Sequence, residues 1–312
     1  MSVLVPPPTA GVVPPMVTPM LPSGAPDLDS LDRLVDHLIG GGATGLLVLG
    51  SCGENGALAR DERFAVAERA VARVGDRAHL MVGVPALGTR DAVADAGRYA
   101  RLGVHAVLLL APFTFPHSRG ELAAHFRAVK EAVGDAAVLA YNIPSRNNVV
   151  LDVELLRQLA ADGVIAGVKD SSGNVEAQRQ IAEETADLAG FRRYTGSEMV
   201  IDGLLLGGFH GAVPGLANVF LPWHVELAAR AGAGDWNGAA ELQRDIVWAF
   251  RLYQHLMPGG SFSASVVGSL KEALVQQGVI AHSTTAFPFV QVDDGMRAHI
   301  RAVLAEAADR RP

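Results

Sequence analysis

Residues 104–110 read VHAVLLL, residues 136–141 read AAVLAY, and between them Leu122, Phe126, Val129 and Val133 recur at helical spacing until Gly134 interrupts them. An apolar run of strand length, an amphipathic helix closed by glycine and a second apolar run form one βα unit leading into the next strand. The same alternation extends in both directions. Apolar runs occupy Gly11 to Thr18, Gly45 to Leu49, Ala78 to Val84, Val164 to Val168, Phe191 to Thr195 and Gly208 to Val213, which makes eight with the two already quoted. Leu28, Leu31, Leu34, Val35, Leu38 and Ile39 form another 3.6-residue stripe, ended by Gly40-Gly41-Gly42.

Eight short strands, nearly all apolar on both faces, suit a sheet covered outside by helices and filled inside by side chains. The reading is therefore α/β, a TIM (β/α)8 barrel with additional C-terminal helices. A doubly wound sheet would usually carry a glycine-rich dinucleotide fingerprint after its first strand, where this chain has Val17-Thr18-Pro19-Met20-Leu21-Pro22. Beyond Asn218 the strand signal fades, and helical segments are expected near 235 to 256, 262 to 277 and 293 to 308. Residues 1–225 are assigned to the barrel and 226–312 to a helical segment packed on it, since a barrel of this kind routinely exceeds 200 residues as one unit.

Composition narrows the function. The 312 residues are 49% hydrophobic and 19% charged, with a formal charge of −7, so no global basic field gathers nucleic acid or anionic lipid. The single cysteine, Cys52, excludes an intrachain disulfide framework and a cysteine-rich zinc site. Met1 to Ala10 has three consecutive prolines and no basic-then-apolar leader pattern, and no apolar run reaches membrane-spanning length, so a cytoplasmic protein is expected. The ten histidines form no convincing metal spacing, and neither a phosphate-binding Gly-x-x-x-x-Gly-Lys loop nor a Gly-x-Ser-x-Gly elbow occurs.

Active sites of TIM barrels lie at the C-terminal ends of the strands. Lys169 follows Val164-Ile165-Ala166-Gly167-Val168 there and is one of only three lysines; Lys130 and Lys271, on amphipathic segments, read as solvated surface charges. A lysine can shed its proton in an apolar site and attack a ketone, which arginine cannot do. The simpler reading has Lys169 paired with a carboxylate such as Asp170. Tyr141 ends the preceding strand, within reach of Lys169 because neighbouring strands lie about 4.8 Å apart, and a phenol can move protons to and from a carbinolamine. Gly50-Ser51-Cys52-Gly53 suits a small carboxylate, with glycines admitting close approach to backbone amides and Ser51 adding a hydroxyl. Glu54 reads as a brace of that loop through backbone amides. Arg146 can fork onto a second carboxylate or form a rim salt bridge.

These residues resemble the dihydrodipicolinate synthase and N-acetylneuraminate lyase family of class I aldolases. The likeness spans the chain: Val17-Thr18-Pro19, Gly50-Ser51-Cys52-Gly53-Glu54, Tyr141-Asn142-Ile143-Pro144, Gly167-Val168-Lys169-Asp170-Ser171-Ser172-Gly173 and Gly211-Ala212-Val213-Pro214-Gly215-Leu216-Ala217-Asn218. It implies a (β/α)8 barrel, a homo-oligomer (tetramer or dimer), and a lysine imine with pyruvate or a pyruvate-derived 2-oxo acid. By the resemblance, Lys169 is the nucleophile, Tyr141 the acid/base, Ser51 a proton relay, Ser51 and Cys52 the carboxylate cradle, and Gly196 and Val213 face the pyruvyl group. No metal or organic cofactor is implied, because the imine is itself the electron sink.

Arg146 matches the arginine that holds the aldehyde's carboxylate in the synthases. Two positions depart from their pattern. Ser51 and Cys52 stand where two threonines are usual, and Thr114, between Phe113 and Phe115, stands where a neighbouring subunit lends a tyrosine to the relay. The resulting expectation is a reversible lyase acting on a 4-hydroxy-2-oxoglutarate or 2-oxo-3-deoxy sugar acid. Condensation of pyruvate with aspartate semialdehyde is the competing reading, and a non-catalytic barrel that binds small carboxylic acids is a third.

Overall fold

A computed structural model describes residues 11–85 and 87–310; the leader reading of Met1 to Ala10 lies outside the described residues. Eight parallel strands are β1 (Gly11–Val12), β2 (Gly45–Val48), β3 (His79–Val84), β4 (Ala106–Leu110), β5 (Ala137–Asn142), β6 (Gly167–Asp170), β7 (Arg192–Thr195) and β8 (Gly211–Ala212). They pair in the order β1-β8-β7-β6-β5-β4-β3-β2. The remaining seam, between β1 and β2, is drawn together by Pro15 opposite Leu47 and by Met16 N to Leu47 O at 2.8 Å and Leu47 N to Pro14 O at 3.0 Å. This is the (β/α)8 barrel expected from the alternation.

The helices among the described residues are α1 (Leu28–Gly40), α2 (Arg60–Val74), α3 (Thr89–Arg101), α4 (Arg119–Val133), α5 (Pro144–Asn147), α6 (Val153–Ala161), α7 (Val175–Glu184), α8 (Ile201–Leu206), α9 (Leu221–Gly232), α10 (Trp236–Ala249), α11 (Phe262–Gln276) and α12 (Asp294–Ala308). Several start on a side-chain cap. Asp27, Ser118, Asp152, Asn174, Asp235, Ser261 and Asp293 each accept a hydrogen bond from a first-turn amide. Residue 225 falls inside α9, which follows β8 as the eighth covering helix, and α10 to α12 are the additional C-terminal helices. No helix among the described residues is long and apolar enough to cross a membrane.

Strand periodicity sorts the core into two compartments. Val13, Leu47, Met81, Ala106, Leu108, Ala137, Leu139, Tyr141 and Tyr194 fill the barrel interior, whereas their neighbours Leu46, Val48, Val82, Val107, Val138 and Ala140 face the helices. The parity that turns Leu139 and Tyr141 inward on β5 does the same for Lys169, because Tyr141 is in register with Lys169 and Lys169 with Tyr194. The two residues singled out for chemistry therefore project into the same end of the barrel.

Candidate active site

A cavity of about 610 Å³ opens at the C-terminal ends of the strands. Ser51, Cys52, Tyr141, Arg146, Lys169, Gly196 and Val213, seven of the eight residues expected at the site, line it. At its floor Lys169 Nζ donates to Tyr141 Oη at 3.2 Å and lies 4.3 Å from the centre of the phenol ring; Tyr141 Oη is 3.3 Å from Ser51 Oγ. Lys169 and Tyr141 are 5% and 4% exposed, so amine, phenol and hydroxyl form a continuous chain largely screened from solvent.

Asp170 does not neutralise the amine. Its carboxylate is fully buried and takes Asn142 Nδ2 at 2.6 Å, Ser172 N at 2.9 Å and Ser172 Oγ at 2.6 Å, while Asn142 Oδ1 accepts from Leu151 N at 3.0 Å. Lys169 forms no ion pair among the described residues. The strand-end carboxylate thus secures the loops after β5 and β6 and leaves the ammonium facing the cavity.

The cradle loop has the features an anion requires. Leu49 and Glu54 adopt positive φ values of 55° and 53°, curling the chain so that Gly53 N reaches Gly50 O and Glu54 N reaches Ser51 O. The amides of Ser51 and Cys52 donate to no backbone carbonyl among the described residues, and both residues line the cavity. Gly196 keeps the opposite wall open, since a Cβ there would strike Ser171 Oγ and come within 3.4 Å of Lys169 Cε. Burial pushes the Cys52 thiol up to about 11, so it contributes a small, neutral, weakly donating surface.

Arg146 sits at the rim on α5, exposed, with no hydrogen bond or ion pair to its guanidinium among the described residues. Thr114 is placed elsewhere: it is exposed, lies outside this cavity and donates to Leu87 O at 3.1 Å. Two other expectations fail. Lys271 is not a solvated surface charge; it is completely buried and ion-paired with Glu54 at 2.5 Å, because α11 is packed on nearly every side. Lys130 is half-buried, donating to Gly134 O and Ala136 O where α4 ends.

Sequence reasoning missed part of the wall. Glu198, in the turn after β7, accepts from Leu216 N at 2.8 Å; burial raises its carboxyl to about 7, against the opposing pull of the Leu216 and Gly215 amides and of Lys169. Its place just after a strand end was the available signal. Tyr253, whose buried hydroxyl has no hydrogen-bond partner among the described residues, and Phe250, Phe262 and Val266 come from the C-terminal segment, where no strand register points to the cavity. With Val175, Met199 and Val200 they give the cavity a largely apolar lining. No group of three or more potential metal-ligating residues is found among the described residues.

A barrel whose strand ends join a buried lysine without an ion pair to a tyrosine and a serine beside a tight amide turn defines an enzyme of the class I aldolase type. The comparisons agree: the family model described as the dihydrodipicolinate synthetase family matches residues 8–307, and the chain belongs to that family. A 4-hydroxy-tetrahydrodipicolinate synthase of Listeria monocytogenes is 31% identical over 295 residues, covering 94% of this chain and 97% of its own. The 4-hydroxy-tetrahydrodipicolinate synthase 2 of Streptomyces coelicolor is 33% identical over 269 residues, 85% of each. Among solved structures, the dihydrodipicolinate synthase of Bacteroides thetaiotaomicron superposes with a TM-score of 0.89 at 28% identity over 96% of this chain and 99% of its own. YagE of E. coli K12, solved in complex with pyruvate, shares the fold with a TM-score of 0.89 at 24% identity over 96% and 98%.

Proposed function

We propose that this protein makes and breaks a carbon–carbon bond at C3 of pyruvate through an imine on Lys169. The supporting observation is the Lys169–Tyr141–Ser51 chain, with spacings of 3.2 and 3.3 Å, beside the Ser51–Cys52 turn that lines the same cavity. In this reading the cradle holds the pyruvate carboxylate, and Lys169 Nζ, its ammonium proton having passed along the Tyr141–Ser51 chain to solvent, attacks the C2 ketone as the free amine. Tyr141 delivers the proton with which the carbinolamine oxygen leaves as water. Loss of a C3 proton gives the enamine, whose C3 bonds to an aldehyde carbon as the aldehyde oxygen takes up a proton. Hydrolysis then frees the lysine. The imine carries the electrons, so the mechanism needs neither a metal nor an organic cofactor, and the site of action is cytoplasmic.

Two acceptors follow from the site. The names of the curated relatives and the unpaired Arg146 guanidinium at the rim favour aspartate semialdehyde, whose distal carboxylate Arg146 would fork. Cys52 and Thr114, which weaken the hydroxyl relay, favour the reversible cleavage of a 4-hydroxy-2-oxoglutarate or 2-oxo-3-deoxy sugar acid. Exposed Leu87, Phe113 and Phe115 beside Thr114 fit a subunit contact in the expected oligomer. The test is incubation with pyruvate and borohydride followed by peptide mapping, on the wild type and Lys169→Ala. A reduced pyruvyl adduct on Lys169, absent from the variant, is the expected result; a wild type that stays unmodified overturns the proposal and leaves the carboxylic-acid binder. Rates with aspartate semialdehyde and with the hydroxy-oxo acids, measured side by side, then decide the acceptor.

A further inference from the structure

Glu54 and Lys271 join parts of the chain 217 residues apart, and neither side chain is exposed at all. Glu54 closes the turn that presents Ser51 and Cys52 to the cavity. Its Oε1 accepts from Ala286 N at 2.7 Å, while Oε2 is held by charge contact with Lys271 Nζ, which also donates to Thr284 O at 2.7 Å. Burial pulls the Lys271 ammonium below the ordinary lysine range, and Glu54 pulls it back up. A carboxylate shut away from water two residues from a cradle for another carboxylate would repel that ligand, and it needs a countercharge that solvent cannot provide. The C-terminal helix α11 supplies it.

We infer that Lys271 is a positioning residue for the anion cradle: its ammonium neutralises and pins Glu54, and so keeps the Ser51–Gly53 turn receptive to a substrate carboxylate. Lys271 does not touch the cavity, so its influence passes through Glu54 and the turn. Arg63 also reaches the far end of the loop, at Asn55 O and Leu58 O, but two ties at the turn itself carry no charge. Thr18 Oγ1 donates to Gly53 O at 2.7 Å and Asn55 Nδ2 to Leu49 O at 2.6 Å, and both would remain if Lys271 were lost. Replacing Lys271 removes the countercharge beneath the cradle and the donor to Thr284 O, and removing the Glu54 charge as well separates the two effects. The inference rests on the proposed function in assigning pyruvate as the anion.

The experiment uses the full chain as wild type, Lys271→Met and the double variant Glu54→Gln with Lys271→Met, which removes both buried charges and keeps the acceptor for Ala286 N. The half-saturating pyruvate concentration for the borohydride-trapped adduct is expected to rise about tenfold or more in Lys271→Met, since small misplacements at a binding site cost up to 10²-fold. The double variant is expected to recover at least threefold of that loss. A single variant within twofold of the wild type overturns the inference, as does a double variant that binds more weakly than the single. Hydrogen exchange provides an arm independent of chemistry, on Lys271→Met or, should that chain not fold, on the double variant. Amides of residues 50–57 are expected to exchange at least tenfold faster while β5 and β6 keep wild-type rates; unchanged loop rates, or a uniform rise across the barrel, overturn the inference. A wild type that traps no pyruvate defeats the proposed function instead, and the exchange arm then decides this inference alone.

Discussion

Tyr141 is the residue on which the chemistry turns, because its hydroxyl is the only group within hydrogen-bond distance of both Lys169 Nζ and Ser51 Oγ among the described residues. Tyr141→Phe keeps the ring packed against the lysine stem and deletes only the proton carrier. Turnover is expected to fall by about 10²- to 10⁴-fold, the usual contribution of a positioned acid/base, while slow trapping of pyruvate on Lys169 continues. Steady-state rates and adduct formation on the same preparation check this, and undiminished turnover would remove Tyr141 from the mechanism. Lys169 and Tyr141 were legible because strand parity and register convert sequence position directly into direction. Lys271 was not, since a helix packed on nearly every side, burying Leu270, Lys271, Glu272, Ala273 and Leu274 in succession, offers no solvent face from which exposure can be inferred.

Strands and loops show where apolar patterning stops being informative. The run from Gly11 to Thr18 reads as a full strand, yet its regular ladder is only Gly11–Val12, because Pro14 and Pro15 lack the N–H a ladder requires. Helix α5, four residues long, starts at Pro144 and is too short to show a periodicity. In contrast β3 appears at nearly its expected bounds, and Gly83 within it has a role composition cannot reveal. A Cβ on Gly83 would run into the carbonyl of Leu49 and lie 3.2 Å from Gly50 N, where the cradle loop begins. Both atoms are backbone and cannot rotate aside. Gly83→Ala is therefore expected to cost roughly 1–3 kcal/mol through overpacking and to weaken pyruvate capture by displacing Gly50 and Ser51. A denaturant midpoint and pyruvate trapping within error of the wild type would show that the strands can spread to admit a methyl.

Across the molecule, buried histidines give the fold a dependence on pH. His125 bonds Leu110 O and Thr89 Oγ1, His224 bonds Phe220 O, and burial lowers both to about 4 from an ordinary value of 6.5. Between these values the unfolded chain takes up protons that the folded chain refuses, so stability falls as the pH drops from about 6.5 to about 4, by at most on the order of 3 kcal/mol for each group. Glu198, raised to about 7, acts in the opposite direction, losing stability as the pH climbs from about 4.5 to 7, but it is one group against several, since His210 is likewise lowered to about 4 and burial also lowers His37 and His79. The thermal midpoint is thus expected to decline from pH 7 to pH 4.5 and to decline less in His224→Leu; a midpoint that is level over this range would contradict the assignment. Much of the architecture was legible because eight repetitions of one short pattern reinforce one another, whereas part of the cavity's wall, Phe250, Tyr253, Phe262 and Val266, is in place only when the C-terminal segment docks. The seam between β1 and β2 has one more consequence. Until the last hydrogen bonds close the ring, β1 is an edge, and an edge of unpaired backbone invites another chain to add a strand. Pro14 and Pro15 present no amide hydrogens there, so this edge is a poor template for intermolecular pairing whenever the seam is open.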